Sequence, residues 1–394
     1  MQTKTLSCIK ACCLIVTVLS TAAVTGAGFN EALDSGKASL DMRLRYEAAE
    51  DSLNKDARAA TLRTRLGYRT GDYRAFFAFG EFEDVRVVAG LDDYAPEKQG
   101  YATVADPEVT QLNQALLGYR GLPDTTLKLG RQRLILDNAR FVGNVGWRQN
   151  EQTFDALSLV NTALPDTTLT YAFLDKVNGI LREFDADVSD HLLHAAYRGF
   201  SPLAVTVYAY LLEDDDSGAE NDTFGLRVKG DHAVTPALGL LYTLEWARQH
   251  ADDRTNDYTA DYGFLEAGLR YGRLTFKAGY EVLGSDDGTY GFQTPLATKH
   301  AFNGWADLFL STPDGGLRDL MFTVSGRMAG VKLAGVYHDF SADSGGSDYG
   351  SELDLLATRK FTERYRLGIK YAAYRANEWK ADTDKLWLWG QLRL

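Results

Sequence analysis

The sequence predicts an all-β protein, a transmembrane antiparallel up-and-down β-barrel of about 18 strands, and three observations carry that prediction. Segments of roughly 9 to 12 residues alternate apolar and polar side chains, the span of a tilted membrane strand. The connections between them alternate between tight and long. The aromatic load is high, with 21 Tyr, 19 Phe and 6 Trp beside 37 Gly and only 8 Pro, a composition of many strands joined by turns. A helical membrane protein is excluded, because nothing after the N-terminal segment approaches the run of about 18 apolar residues that a spanning helix needs.

The N-terminal stretch places Lys4 and Lys10 near an apolar run, Ala11 to Leu19, followed by small residues from Ala23 to Ala27. This pattern predicts a secretory signal peptide over 1–27 and a single barrel domain over 28–394. Cys12 and Cys13 stand at the start of the apolar core rather than after it, which argues against lipid attachment. Cys8 leaves with them, so the mature chain is expected to have neither disulfides nor thiol chemistry. Losing two lysines moves the net charge from -12 to about -14. No nucleic-acid partner is expected.

From Lys37 onward the segments follow in order. Leu40, Met42, Leu44 and Tyr46 alternate with Asp41, Arg43, Arg45 and Glu47. Leu62, Thr64, Leu66 and Tyr68 alternate with Arg63, Arg65 and Gly67, and then Tyr73, Ala75, Phe77 and Phe79 with Arg74 and Gly80. Later, Leu274, Phe276, Ala278 and Tyr280 alternate with Thr275, Lys277, Gly279 and Glu281, and Tyr365, Leu367, Ile369 and Tyr371 with Arg366, Gly368 and Lys370. Strand side chains point to opposite faces in turn, so each segment has one lipid-compatible face and one polar face. Tyr46, Tyr68, Tyr119, Tyr197, Trp246, Tyr271, Tyr280 and Tyr371 recur at segment ends and are candidates for the interfacial girdles.

A soluble sandwich also alternates, so loop lengths decide the class. Tight connections at Thr70 to Asp72, Gly121 to Thr125, Gly199 to Pro202, Tyr271 to Arg273 and Met328 to Gly330 are interleaved with long ones such as Asp84 to Gln111, Leu134 to Glu151 and Gly284 to Thr312. Short turns on one side and long loops on the other are the layout of an outer-membrane barrel. Counting His300 to Leu310 as a strand gives an odd total; placing it in a long loop restores an even number, as a single-chain bacterial barrel requires. The last strand, Lys385 to Leu394, runs to the final residue and suits recognition by the barrel-assembly machinery.

A barrel of this size encloses a lumen too wide for side chains to fill. Arg43, Arg45, Arg63, Arg65, Arg74, Arg366, Lys370 and Arg393 are expected to point inward from the first, second, third, seventeenth and last strands. Closure sets the last strand beside the first, so these residues are expected to form one basic wall. The inward acids Glu245, Glu266, Glu281, Glu352 and Asp354 fall on other arcs. Charge ladders of opposite sign across a narrow pore set charge selectivity. The net acidity sits in long loops, as at Glu213-Asp214-Asp215-Asp216 and Asp252-Asp253, a solvated surface facing lipid and lipopolysaccharide rather than a defined metal site. No G-x-S-x-G elbow, P-loop or H-E-x-x-H occurs. His191 and His194 fall on opposite faces of a strand and cannot share a metal. Neither enzymatic activity nor a cofactor is expected.

The stretch Lys128 to Asp155, KLGRQRLILDNARFVGNVGWRQNEQTFD, packs Arg131, Arg133, Arg140 and Arg148 beside Phe141, Trp147 and Phe154. Arg131 and Arg133 share parity with Leu127 and Leu129, so either a bulge turns them inward or they sit above the lipid. Leu127 to Leu159 resembles the signature of the alginate-export family of outer-membrane porins. Lys299 to Leu320 and Tyr337 to Ala357 resemble its second and third blocks. The resemblance implies a single barrel with a pore constricted by arginines that favours anionic uronate polymers. It implies Arg131, Arg133, Arg140 and Arg148 as constriction residues or their supports, with Glu151 and Asp155 as their partners.

The function expected is passive diffusion of small anionic solutes, such as carboxylates and sugar acids, through an arginine-lined pore. Arginine's planar fork suits bidentate carboxylate contacts better than lysine's point charge. The alternatives are a dedicated exporter of an anionic polysaccharide such as alginate, and a surface adhesion protein whose barrel is closed.

Overall fold

The computed structural model describes residues 28–394; the expected signal segment, with its cysteines, lies outside them. The chain forms a short helix, α1 (Phe29–Asp34), and then strands β1 (Lys37–Asp51), β2 (Ala57–Arg69), β3 (Phe76–Asp93), β4 (Val109–Tyr119), β5 (Thr125–Gln132), β6 (Thr153–Asn161) and β7 (Thr167–Asn178). β8 (Ala186–Tyr197), β9 (Leu203–Glu213), β10 (Glu220–Ala233), β11 (Leu238–Asp252), β12 (Asp257–Tyr271) and β13 (Leu274–Leu283) follow. The small ribbon strands β14 (Ser285–Asp286) and β15 (Tyr290–Gly291) precede β16 (Leu317–Met328), β17 (Val331–Ser341), β18 (Asp348–Lys360), β19 (Tyr365–Ala376) and β20 (Thr383–Arg393).

Apart from the β14–β15 ribbon, the strands form one 18-stranded sheet. Each pairs antiparallel with its neighbours in sequence, and β1 closes the ring by pairing with both β2 and β20. Closure matters because hydrocarbon offers no partner for a free N–H or C=O, so a sheet with an exposed edge could not span it. His300 to Leu310 lies in the connection between β13 and β16, which makes the strand number even.

Side-chain parity sorts the wall. On β1, Leu44 is 52% exposed and its neighbour Arg45 only 1%, because one faces lipid and the other the filled lumen. Leu66, Leu129, Leu244, Leu265, Phe322 and Leu367 continue the exposed apolar belt. Trp246, Tyr271 and Tyr280 stand exposed on the same outer face.

The third segment departs from the expected phase. Arg74 (φ 51°) and Ala75 (φ 67°) are both left-handed, the paired conformation of a tight hairpin turn. The chain therefore reverses there and β3 begins only at Phe76. Arg74 is exposed in the turn, not on a strand facing the lumen. Phe77, assigned to lipid by simple alternation, is buried inside with Glu81 and Glu83, while Phe82 faces out.

The tight turns and the chain's described ends share one rim. There α1 packs beneath the wall, with Tyr68 Oη donating to the Leu33 carbonyl and Gly71 N to the Ala32 carbonyl. The long loops occupy the other rim, and two of them, 133–152 and 284–316, fold into the lumen. Phe141 and Phe292 from these loops pack on Tyr208, Tyr210 and Tyr262 of the wall, with ring centroids 5.2 Å apart for Phe141 and both Tyr208 and Tyr262. Burying a side chain of this size contributes about 1.5–3 kcal/mol, so the loops are docked rather than draped.

Candidate pore constriction

The wall of β1 and β2 holds loop 133–152 by its backbone. Arg43 donates to the carbonyls of Gly146 (3.2 Å) and Arg148, and to Gln149 Oε1 (2.8 Å). Arg45 donates to the Trp147 carbonyl and lies over that indole at 4.3 Å, while its other nitrogen meets Asp106 at 2.8 Å. Arg65 reaches the Gln149 carbonyl at 3.3 Å and also pairs with Glu83 and Glu151. Four successive carbonyls, Gly146 to Gln149, are thus gripped by three arginines. Arg63 is turned to Asp41 at 2.6 Å, and Asp41 also receives Arg393 at 2.8 Å. The arginines of the expected basic wall are therefore engaged, Arg45, Arg63 and Arg65 by carboxylates and Arg43 by loop oxygens alone. Arg366 stays exposed and makes no ion pair among the described residues.

The four arginines of the 128–155 stretch go to different places. Arg131 sits opposite Asp155, in register with Leu129 opposite Leu157, while Gln132, Phe154, Ala156 and Ser158 fill the inner side. Its guanidinium grips Asp155 through two bonds of 2.7 and 3.0 Å. Both residues lie on the outer face, outside the lumen. Arg133 follows the end of β5, escapes the strand's parity, and turns in to Glu81 (2.6 Å) and Glu151. Burial opposes charge on Glu151, but Arg65 and Arg133 outweigh it and hold the carboxyl below its ordinary range.

Arg140 crosses to the opposite wall, meeting Glu281 of β13 at 2.8 Å and Asn303 at 3.1 Å. Tyr262 donates to the same carboxylate at 2.6 Å. Arg148 holds Glu47 with one nitrogen (3.0 and 3.1 Å) and Asp307 of the second inward loop with the other (2.7 Å). Burial works against its charge, yet the carboxylates of Glu47 and Asp307 keep its pKa above the usual arginine value. Every arginine of the stretch is thus matched to a carboxylate.

Loop 284–316 is fixed from β18, β19 and β20. Trp305 N and Ala306 N donate to Asp354 (3.2 Å) and Glu352 (2.7 Å). Lys370 is buried among three indoles, 3.7 Å from the Trp305 ring, 4.5 Å from Trp147 and 5.4 Å from Trp387, and reaches His300 Nε2 at 2.7 Å. An ammonium can only donate, so Nε2 accepts and the ring proton resides on Nδ1, which faces Asp307 at 2.7 Å. Burial pushes the His300 imidazole down to about 3, so it is neutral near pH 7. Lys370, placed inward by alternation, is enclosed by protein rather than open to solvent.

One residue of these loops had no signal in the sequence. Lys299 lies beside the junction of the two loops, where Val145 N meets Thr298 Oγ1 at 3.0 Å and Thr298 N meets the Ala139 carbonyl at 3.0 Å. It is partly buried, and it forms neither an ion pair nor a side-chain hydrogen bond among the described residues. Burial first, and then the neighbouring Arg140, push its ammonium below the ordinary lysine value.

The chain resembles known proteins in sequence family and in overall fold. The alginate-export profile matches residues 37–284. The chain belongs to the alginate-export family. Its fold is that of outer-membrane porins: OpdK of Pseudomonas aeruginosa, solved with vanillate, superposes with a TM-score of 0.72 at 16% identity, covering 92% of this chain and 99% of that one. OccAB4 of Acinetobacter baumannii gives 0.72 at 13% identity over 91% and 98%, and OccK9 (OpdG) of P. aeruginosa 0.72 at 16% over 92% and 100%. No curated protein matches by sequence. This member of the alginate-export family thus has a closed 18-stranded barrel with the fold of outer-membrane porins.

Proposed function

We propose that the protein is a passive channel for small anionic solutes, carboxylates and sugar acids in particular, and has no catalytic role. The observation that carries this reading is Lys299. Among the cations of the two inward loops, Arg133, Arg140 and Arg148 are each matched to a carboxylate, and Lys299 alone has none among the described residues. A partly buried ammonium without a partner costs free energy; a passing carboxylate supplies the missing charge. That OpdK was solved with vanillate, a carboxylate, is in keeping with this.

A polymer exporter fits less well, because loops docked by buried ion pairs and aromatic packing would have to leave the lumen. On the same reading the outer face meets lipid and lipopolysaccharide, with Arg131–Asp155 among the charged pairs above the apolar belt, and β20 is the strand read by the barrel-assembly machinery.

The test is the reversal potential of purified barrels in planar bilayers across a potassium chloride gradient. Anion preference is expected in the unmodified protein and is reduced in Lys299→Gln and reversed in Lys299→Glu. Cation preference in the unmodified channel overturns the reading.

A further inference from the structure

The inner wall near the tight-turn rim carries a second group of cations that no loop uses. Across β3, β4 and β5, Phe77 stands opposite Gly118 and Gly118 opposite Lys128. This row faces inward, since Leu117 and Leu129, one residue along on the same strands, are exposed on the lipid side. The Phe77 ring lies flat across Gly118: a Cβ there would come within 2.1 Å of its Cζ. Two guanidiniums pack on that ring, Arg69 at 4.2 Å and Arg120 at 4.8 Å from its centroid.

The charges acting on the half-buried Lys128 are those of Arg120 and Arg69. Lys128 and Arg120 have no ion-pair partner within 4.0 Å among the described residues, and Arg69 reaches only Asp72, at 3.2 Å, in the exposed turn. Arg120 also lines a shallow cleft of about 280 Å³ with Leu122, Thr126, Val160 and Asp124. Like charges repel, so two guanidiniums on one ring with Lys128 in the same row gather only at a cost in stability unless an anion joins them. A carboxylate fits best: its two oxygens match the Arg120 fork, Lys128 adds a point charge, and the cleft's Leu122 and Val160 can meet an apolar body.

We propose that Arg69, Arg120 and Lys128, set around Phe77, form a carboxylate-binding site at the tight-turn mouth of the pore, the periplasmic one in barrels of this layout, separate from Lys299. The site makes the channel asymmetric, holding a solute at the periplasmic end after or before it passes the inward loops. Its ligand class rests on the anion-channel reading above.

The experiment uses full-length barrels inserted from one side of a planar bilayer, with benzoate added to either chamber while chloride current is recorded. Benzoate is expected to reduce the current at lower concentration from the periplasmic side. The double variant Arg120→Gln with Lys128→Gln is expected to raise that half-blocking concentration about tenfold, from that side only. Gly118→Ala keeps every charge but displaces the Phe77 ring, and is expected to shift the block in the same direction. Equal block from both sides, or a double variant that blocks like the unmodified protein, overturns the site. The reversal potential of the unmodified channel is read in the same bilayers, so cation preference there identifies failure of the broader reading instead.

Discussion

Arg148 and Asp307 meet at 2.7 Å although they lie 159 residues apart and on different loops. The contact is buried on both sides. With Glu47 on the other nitrogen, it joins both inward loops to β1 in one charge chain, and the behaviour of the lumen follows from it.

Replacing Arg148 by Leu takes the nearest cation from two buried carboxylates, leaving Glu47 only Arg45 at 4.0 Å and Asp307 only His300 and the more distant Lys385 at 3.7 Å. Breaking a buried pair by removing one partner costs about 3–5 kcal/mol, and here the cost falls on loop docking rather than on the closed sheet. Single-channel conductance is expected to rise and become noisy, while the barrel keeps its heat-resistant mobility on gels. Unchanged conductance would count against the latch.

Acidification should loosen the same latch in a defined window. His300 faces Asp307, Lys370 and Arg148, with Trp147 stacked on it at 5.0 Å. Its folded pKa is depressed to about 3 from 6.5, so the unfolded loop binds the proton first. The stability it contributes is complete above the unfolded value and is lost as pH falls from 6.5 towards 3, by about 1.4 kcal/mol per pH unit at most. The carboxyl of Asp307 is disfavoured as an anion by burial but held low by its cationic neighbours, so its own contribution fades only below its ordinary range. Conductance measured from pH 7 to pH 4 should therefore rise, and His300→Gln should flatten the part above pH 4.

Arg45→Met removes the grip on the Trp147 carbonyl and leaves Asp106 without its 2.8 Å partner. Loop 133–152 is expected to become protease-sensitive in detergent-solubilised barrels, at concentrations that spare the unmodified protein. The strand ladder is untouched, so the global thermal transition should move far less than the cleavage rate.

Arg131→Gln is the contrasting case. Its guanidinium lies on the outer face with Asp155, so ion selectivity should match that of the unmodified channel within error. A shift as large as that of Lys299→Gln would mean that Arg131 reaches the permeating ion.

The barrel was legible because membrane strands impose a period of two and because loop lengths segregate to opposite rims. Phase failed where a turn reset it: Arg74 and Ala75 adopt left-handed backbone, and Phe77 moves from the lipid side to the inside. Arg43, Arg45 and Arg65 were legible as inward but not as engaged, since the carbonyls they grip lie more than 80 residues away in sequence, set by a loop whose path has no periodic signature. For Arg131 both placements were open from parity alone; the β5–β6 register decides it. Lys299 was invisible for a related reason, because its distinction is the absence of a partner, which only the packed lumen reveals.

The grip on Gly146 to Gln149 runs through main-chain oxygens, and every residue type supplies one. Arg43, Arg45 and Arg65 therefore fix the path of the loop without dictating most of what it displays. Residues such as Val145 can be exchanged while the anchorage stays, so the pore can be retuned for a new solute by point changes on a frame that does not have to be rebuilt.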